Sequence, residues 1–111
     1  MPLKLQHWDM LANGHALKFN PQSIDANGNL KGTIVGGGKT HAIEGFWNEE
    51  AQKITFMRII DPTKPATIQI YTGYLAGEKQ LAGTFQAFSG SGGTRDRSEF
   101  SWSAVIPPQI H

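Results

Sequence analysis

Leu30-Lys31-Gly32-Thr33, Ile43-Glu44-Gly45-Phe46, Tyr71-Thr72-Gly73-Tyr74 and Leu81-Ala82-Gly83-Thr84 share one form. Each has a bulky residue, then any residue, then a glycine inside a run that otherwise reads as a β-strand. Glycine weakens a flat strand, but it permits sharp bending and close approach of a neighbouring backbone. A small closed barrel needs such bends repeatedly around its wall, and chance scatter would not place glycine so often two residues after a bulky side chain.

Working outward from these four segments, the whole chain reads as strands between turn signals. The runs are residues 5–10, 15–19, 30–35, 41–47, 53–60, 67–75, 80–88 and 99–106. Asn13-Gly14, Asn27-Gly28 and Gly36-Gly37-Gly38 punctuate the first half, and Asn-Gly is a strong hairpin signal. Asp61-Pro62-Thr63-Lys64-Pro65 is excluded from any central strand, because two prolines remove ladder donors. Residues 89–98 read as a long loop, and Pro107-Pro108 ends the last strand. No stretch holds helical periodicity for three turns. Eight strands in consecutive hairpins form a meander long enough to close, so the reading is all-β, an eight-stranded antiparallel up-and-down barrel. A two-sheet β-sandwich is the alternative.

Composition narrows the function classes. The 111 residues allow one domain, spanning residues 1–111. Hydrophobic residues make up 39%, which marks a globular chain. A formal charge of +1 lacks the basic excess of a nucleic-acid footprint. With no cysteine, disulfides, thiol catalysis and Cys-based zinc sites are excluded. No apolar run reaches the roughly 20 residues of a membrane-spanning helix. Met1-Pro2-Leu3-Lys4-Leu5-Gln6-His7 lacks the apolar core of a signal peptide, which reads as cytoplasmic. No cofactor is expected.

Several short motifs admit a catalytic reading and a plainer one. Gly36-Gly37-Gly38-Lys39-Thr40 lacks the earlier glycine and the following helix of a phosphate loop, so it reads as a flexible connection between strands. His7, His15, His41 and His111 have no metal-ligand spacing. His7 and His15 are placed where they could face one mouth of the barrel, with ordinary surface positions as the plainer account. Gly90-Ser91-Gly92 lacks the nucleophile elbow, and Thr94-Arg95-Asp96-Arg97 reads as a solubilising patch.

Trp8-Asp9-Met10-Leu11-Ala12-Asn13-Gly14-His15, Asn27-Gly28-Asn29-Leu30-Lys31-Gly32-Thr33 and Tyr71-Thr72-Gly73-Tyr74 together carry a resemblance. Over about residues 5–88 the chain resembles the avidin and streptavidin group, within the calycin class of ligand-binding barrels. The first segment is one residue longer than the family's, and Phe85 stands where the family has an inward Trp. The resemblance implies a β-barrel with a ligand cavity and a lid over it between the third and fourth strands. It also implies where biotin's partners would fall. The polar pair after the first Trp meets Met10 and His15. The third strand's Tyr and Ser meet Ile34 and Gly36, and two Trp positions meet Arg58 and Tyr71. No match exists after Phe100 for the closing Trp and Asp. Each buried polar group of the ligand left unpaired costs roughly 1–3 kcal/mol, so tight biotin binding is not expected.

Alternation supplies candidate site residues. If the internal glycines face inward, Thr67, Gln69, Tyr71 and Leu75 follow, while Ile68, Ile70 and Tyr74 point outward. The family alignment turns Ile54, Phe56 and Arg58 inward, with Leu81, Phe85, Phe100 and Trp102. The opposite parity would make Ile68, Ile70 and Tyr74 the core and leave Arg58 near a strand end in water. On the first parity, Trp8, Trp47, Phe56, Phe85 and Trp102 supply apolar contact and Arg58, Gln69 and Tyr71 orient a polar or anionic group. The leading function is a non-enzymatic binding barrel for a small organic ligand, assembled as a homodimer or homotetramer through its outer face. Alternatives are a barrel enzyme using His15 or Tyr71 for proton transfer or cyclisation, or a homo-oligomeric interaction module without ligand.

Overall fold

A computed structural model describes residues 7–63, 67–77, 80–88 and 97–105, without the side chains of residues 97 and 98. Readings that fall on other residues, including the 89–96 loop, Lys64-Pro65, Pro107-Pro108 and His111, lie outside the described residues. Eight strands follow one another: β1 (Trp8–Ala12), β2 (His15–Ile24), β3 (Asn29–Gly36), β4 (Lys39–Asn48), β5 (Lys53–Ile59), β6 (Ile68–Ala76), β7 (Gln80–Phe88) and β8 (Arg97–Val105). Each pairs antiparallel with the next, and β8 pairs back with β1, closing the barrel. That closed strand order excludes the sandwich alternative.

Two tight hairpins set one end of the barrel. Asn13 and Gly14 joining β1 to β2, and Gly37 and Gly38 joining β3 to β4, all have positive φ. Two consecutive left-handed residues match the twist of the flanking strands, which is why Asn and Gly occupy these sites. Gly36-Gly37-Gly38-Lys39-Thr40 is thus a hairpin between two strands. The β5–β6 connection lies at this same end. The turns β2–β3 and β4–β5 lie at the other.

The internal glycines point inward, as their strand-mates do. A Cβ on Gly83 would stand 1.9 Å from the Thr72 carbonyl oxygen, and one on Gly45 2.1 Å from that of Thr55. The neighbouring strand occupies the space a side chain would need. Gly73 and Gly83 are directly paired, and the Trp102 ring lies against Gly73. Trp102 Nε1 donates to the carbonyls of Thr72 (3.2 Å) and Thr84 (3.1 Å), which satisfies its buried N–H.

Along the next inward row, Phe56, Tyr71, Phe85 and Phe100 are successive cross-strand partners on β5, β6, β7 and β8. The first three rings stack at centroid spacings of 4.6 and 4.5 Å, and Phe100 lies tilted against Phe85 at 5.2 Å. Trp8 stacks on Phe19 at 4.5 Å, and Phe19 meets Phe56 edge-on. Such pairs contribute roughly 0.5–1.5 kcal/mol each beyond the area they bury.

Strand bounds differ from the sequence reading at several points, with β4 starting at Lys39 and β8 at Arg97, each two residues earlier. β1 runs on to Ala12, so its turn is the two-residue Asn13-Gly14. β2 runs on through Pro21 to Ile24, with a register shift between Pro21 and Ser23. Among the described residues β1 pairs with β2 only as far as Phe19, so Pro21 has a single described neighbour and its missing N–H breaks no second ladder there.

Candidate functional site

The end bearing the β1–β2 and β3–β4 hairpins opens into a cavity of about 640 Å³. That volume suits a small organic ligand. Its polar wall comes from β4, β5 and β6, with Lys39, His41, Arg58, Gln69 and Tyr71. Leu17, Phe85 and Phe100 make its apolar side, and His15 stands at the rim.

Arg58 dominates the chemistry. Its inward position follows from alternation with Ile54 and Phe56, and its residue is only 8% exposed. Nε donates to His41 Nδ1 at 3.1 Å. Nη1 donates to Gln69 Oε1 at 3.2 Å and to the Tyr71 hydroxyl at 3.2 Å. The Tyr71 hydroxyl in turn donates to Gln69 Oε1 at 2.6 Å. Among the described residues Arg58 has no carboxylate partner, and none lines the cavity. Asp61, just beyond β5, accepts from the Thr63 amide and hydroxyl. A guanidinium cannot shed its proton, so this is a held positive charge supported by neutral acceptors.

Those bonds fix the states of the neighbours. Accepting from Arg58 at Nδ1 places the His41 proton on Nε2. Burial, then the Arg58 and Lys39 charges, hold His41 below its ordinary value of 6.5. Burial pushes the Tyr71 phenol above its ordinary value, while Arg58 pulls the other way. Tyr71 therefore stands as a neutral phenol.

Of the residues singled out from sequence, Arg58, Gln69, Tyr71 and Phe85 meet at this mouth. Phe56, Trp8 and Trp102 are buried in the ring-packed core and are not among the residues that line it. Trp47 lies at the opposite end, beside the β2–β3 and β4–β5 turns, where Nε1 donates to Glu49. It does not join the cluster, because it sits six residues beyond His41, near the far end of β4. His15 and His7 do not share a mouth: His15 opens β2 at the cavity, whereas His7 precedes β1 at the other end. The residues that the sequence reading left unplaced are His41 and Lys39. Alternation was the available signal, since His41, Ile43, Gly45 and Trp47 share one face of β4.

At the positions where the avidin resemblance would place polar ligand partners, Met10 and Ile34 are fully buried apolar side chains. No protein-family model and no curated protein sequence matches the chain. Solved structures do. Apo shwanavidin superposes with a TM-score of 0.73 at 13% identity, covering 96% of this chain and 97% of that one. A shwanavidin variant in complex with biotin gives 0.73 at 13% identity, covering 96% and 98%. A second crystal form of apo shwanavidin gives 0.74 at 12% identity. The likeness spans nearly the full length of both chains, and with the closed strand order it establishes that this chain has the avidin-like barrel fold.

Proposed function

We propose that the protein is a non-catalytic binding barrel that takes a small organic ligand in the mouth lined by Arg58, Gln69, Tyr71 and Phe85. The observation behind this reading is the buried Arg58, which opens on a cavity of ligand size and whose partners among the described residues are all neutral. Holding a charge there costs desolvation energy that a core filled with apolar side chains would avoid. Tyr71, neutral and already donating to Gln69, suits orientation of a ligand better than proton abstraction. Native mass spectrometry, on freshly purified protein and again with millimolar small aromatic compounds, should show one small molecule per subunit. Bare subunits under both conditions would count against a binding barrel.

Biotin is not the ligand on this reading. Met10 and Ile34 offer no hydrogen bonds, and Arg58 stands where the family resemblance expects a flat indole. A ligand at a hundred times its Kd adds about 2.7 kcal/mol of stability. Micromolar biotin is therefore expected to leave the melting temperature unchanged, and a clear rise would show that the apolar wall had been misjudged.

The outer wall supports a homo-oligomeric assembly. Ile70 and Tyr74 on β6 are 37% and 53% exposed. Register places Met57 beside Ile70, and Ile59 and Phe88 on either side of Ile68. A monomer rarely leaves a contiguous apolar patch of this kind in water, and two-fold pairing is the commonest way to cover one. Ile70→Glu should lower the mass in solution, by sedimentation, while the β-type circular dichroism is retained. An unchanged oligomer would place the interface elsewhere.

A further inference from the structure

Arg58 engages its protein partners through Nε and Nη1. Among the described residues Nη2 has none, and it belongs to a side chain that lines the mouth. Lys39 and His15 stand at the same opening, and His41 lies between Lys39 and Arg58. Phe85, Phe100 and Leu17 form the wall on the other side.

From this arrangement we infer that the mouth selects small organic anions with a flat apolar body, the anionic group docking on Arg58 while the His41 imidazole takes up a proton from solvent. The inference rests on the binding-barrel reading and names the ligand class for that site. A carboxylate, sulfonate or phosphate would supply the negative partner that the guanidinium lacks among the described residues, and charge-assisted bonds to it are about twice as strong as neutral ones. The aromatic wall would take the body of the same molecule by stacking and apolar contact.

The proton follows from the geometry around His41. In the free protein its Nδ1 must remain an acceptor, because Arg58 Nε–H points at it. The groups facing it are Lys39 from its own strand, Arg58 from β5, and the neutral Gln69 and Tyr71 from β6, while its cross-strand partner on β3 is Ile34. A bound anion reverses the local field, so the imidazolium becomes favourable. Protonation at Nδ1 ends its bond with Arg58 and releases Nε–H, which lies beside Nη2 on one edge of the guanidinium. That edge forms the fork that grips two oxygens of one anion. His41 in the complex then titrates above His41 in the free protein. By linkage, affinity rises as the pH falls from 8 towards the free protein's value, which lies below 6.5.

The test uses 1-naphthalenesulfonate and 1-naphthalenesulfonamide, nearly equal in size, with the sulfonate charged at every pH used. Calorimetric titration of the full chain should show the sulfonate binding about tenfold more tightly, a difference of about 1.4 kcal/mol. Its affinity should rise several-fold between pH 8 and 5.5, with proton uptake seen as a dependence on buffer ionisation heat, while the sulfonamide stays flat. His41→Gln should keep the preference for sulfonate and lose the pH dependence, whereas His7→Gln, before β1 at the opposite end of the barrel, should keep both. Arg58→Met should abolish the preference. If that variant does not fold, the ligand pair on the unmodified protein and the two histidine variants still decide the matter. Equal binding of the two compounds would overturn the anion inference and leave the binding-barrel reading standing. Failure of both compounds, and of 1-naphthylmethylammonium, would overturn the two together.

Discussion

Phe56→Ala is expected to lower stability by about 3–5 kcal/mol, the usual cost of truncating a buried aromatic side chain. Phe56 is 1% exposed and touches three rings: Tyr71 in parallel stacking, and Phe19 and Trp102 edge-on. It also underlies Tyr71, whose other face is covered by Phe85. The vacated space cannot be refilled by strands already closed into a ring, so much of the cavity would persist. For a domain near 100 residues each kcal/mol corresponds to about 4–8 °C, so calorimetry should record a fall well above 10 °C. A fall of only a few degrees would mean that the aromatic row is not the mechanical centre of the barrel.

Gly83→Ala is expected to be nearly as damaging, although it adds one methyl group. The new carbon would meet the Thr72 carbonyl oxygen at 1.9 Å and the Gly73 Cα at 2.6 Å. Both belong to the backbone of the neighbouring strand, so no side chain can swing aside. The β6–β7 ladder must part instead, and overpacking of this kind costs about 1–3 kcal/mol or more. Gly14→Ala is the control. Open space surrounds Gly14, so only its positive φ resists the substitution. The expected order is a large loss of melting temperature for Gly83→Ala and a small one for Gly14→Ala. The reverse order would show that turn geometry, rather than wall curvature, limits the fold.

The same glycines explain why the architecture was legible in the sequence. An internal Gly fixes both that a strand bends and which face bends inward, and parity then sorts its neighbours. Parity from Gly73 sets Gln69 and Tyr71 inside and Ile70 and Tyr74 outside, whereas Arg58, on a strand with no glycine, is turned inward only by the avidin resemblance. Parity says nothing about height along the barrel. Trp47 has the correct face and the wrong end, a distinction that depends on the length and register of β4. His41 lies on the same face as Trp47 at the correct end. It went unplaced because a lone histidine with no metal-ligand spacing gives no local signal. Its role appears only once Arg58, 17 residues later, is brought within hydrogen-bond reach. The extension of β2 through Pro21 was hidden for a similar reason. Proline is tolerated there because, among the described residues, pairing with β1 ends at Phe19, which is a fact of topology.

Two other concavities compete with the mouth for a ligand. One lies on the outer wall between Leu11, Leu17, Val35 and Val105, and one lies at the opposite end beside Trp47. Backbone amide and indole NMR spectra recorded during titration with 1-naphthalenesulfonate separate the three directly. Progressive shifts are expected at Gly37, Lys39, His41, Gln69 and Tyr71, with the Trp47 indole N–H and the Asn27 amide unmoved. Shifts centred on Trp47, or on Leu11 and Val105, with His41 and Gln69 unmoved, would contradict binding at the mouth.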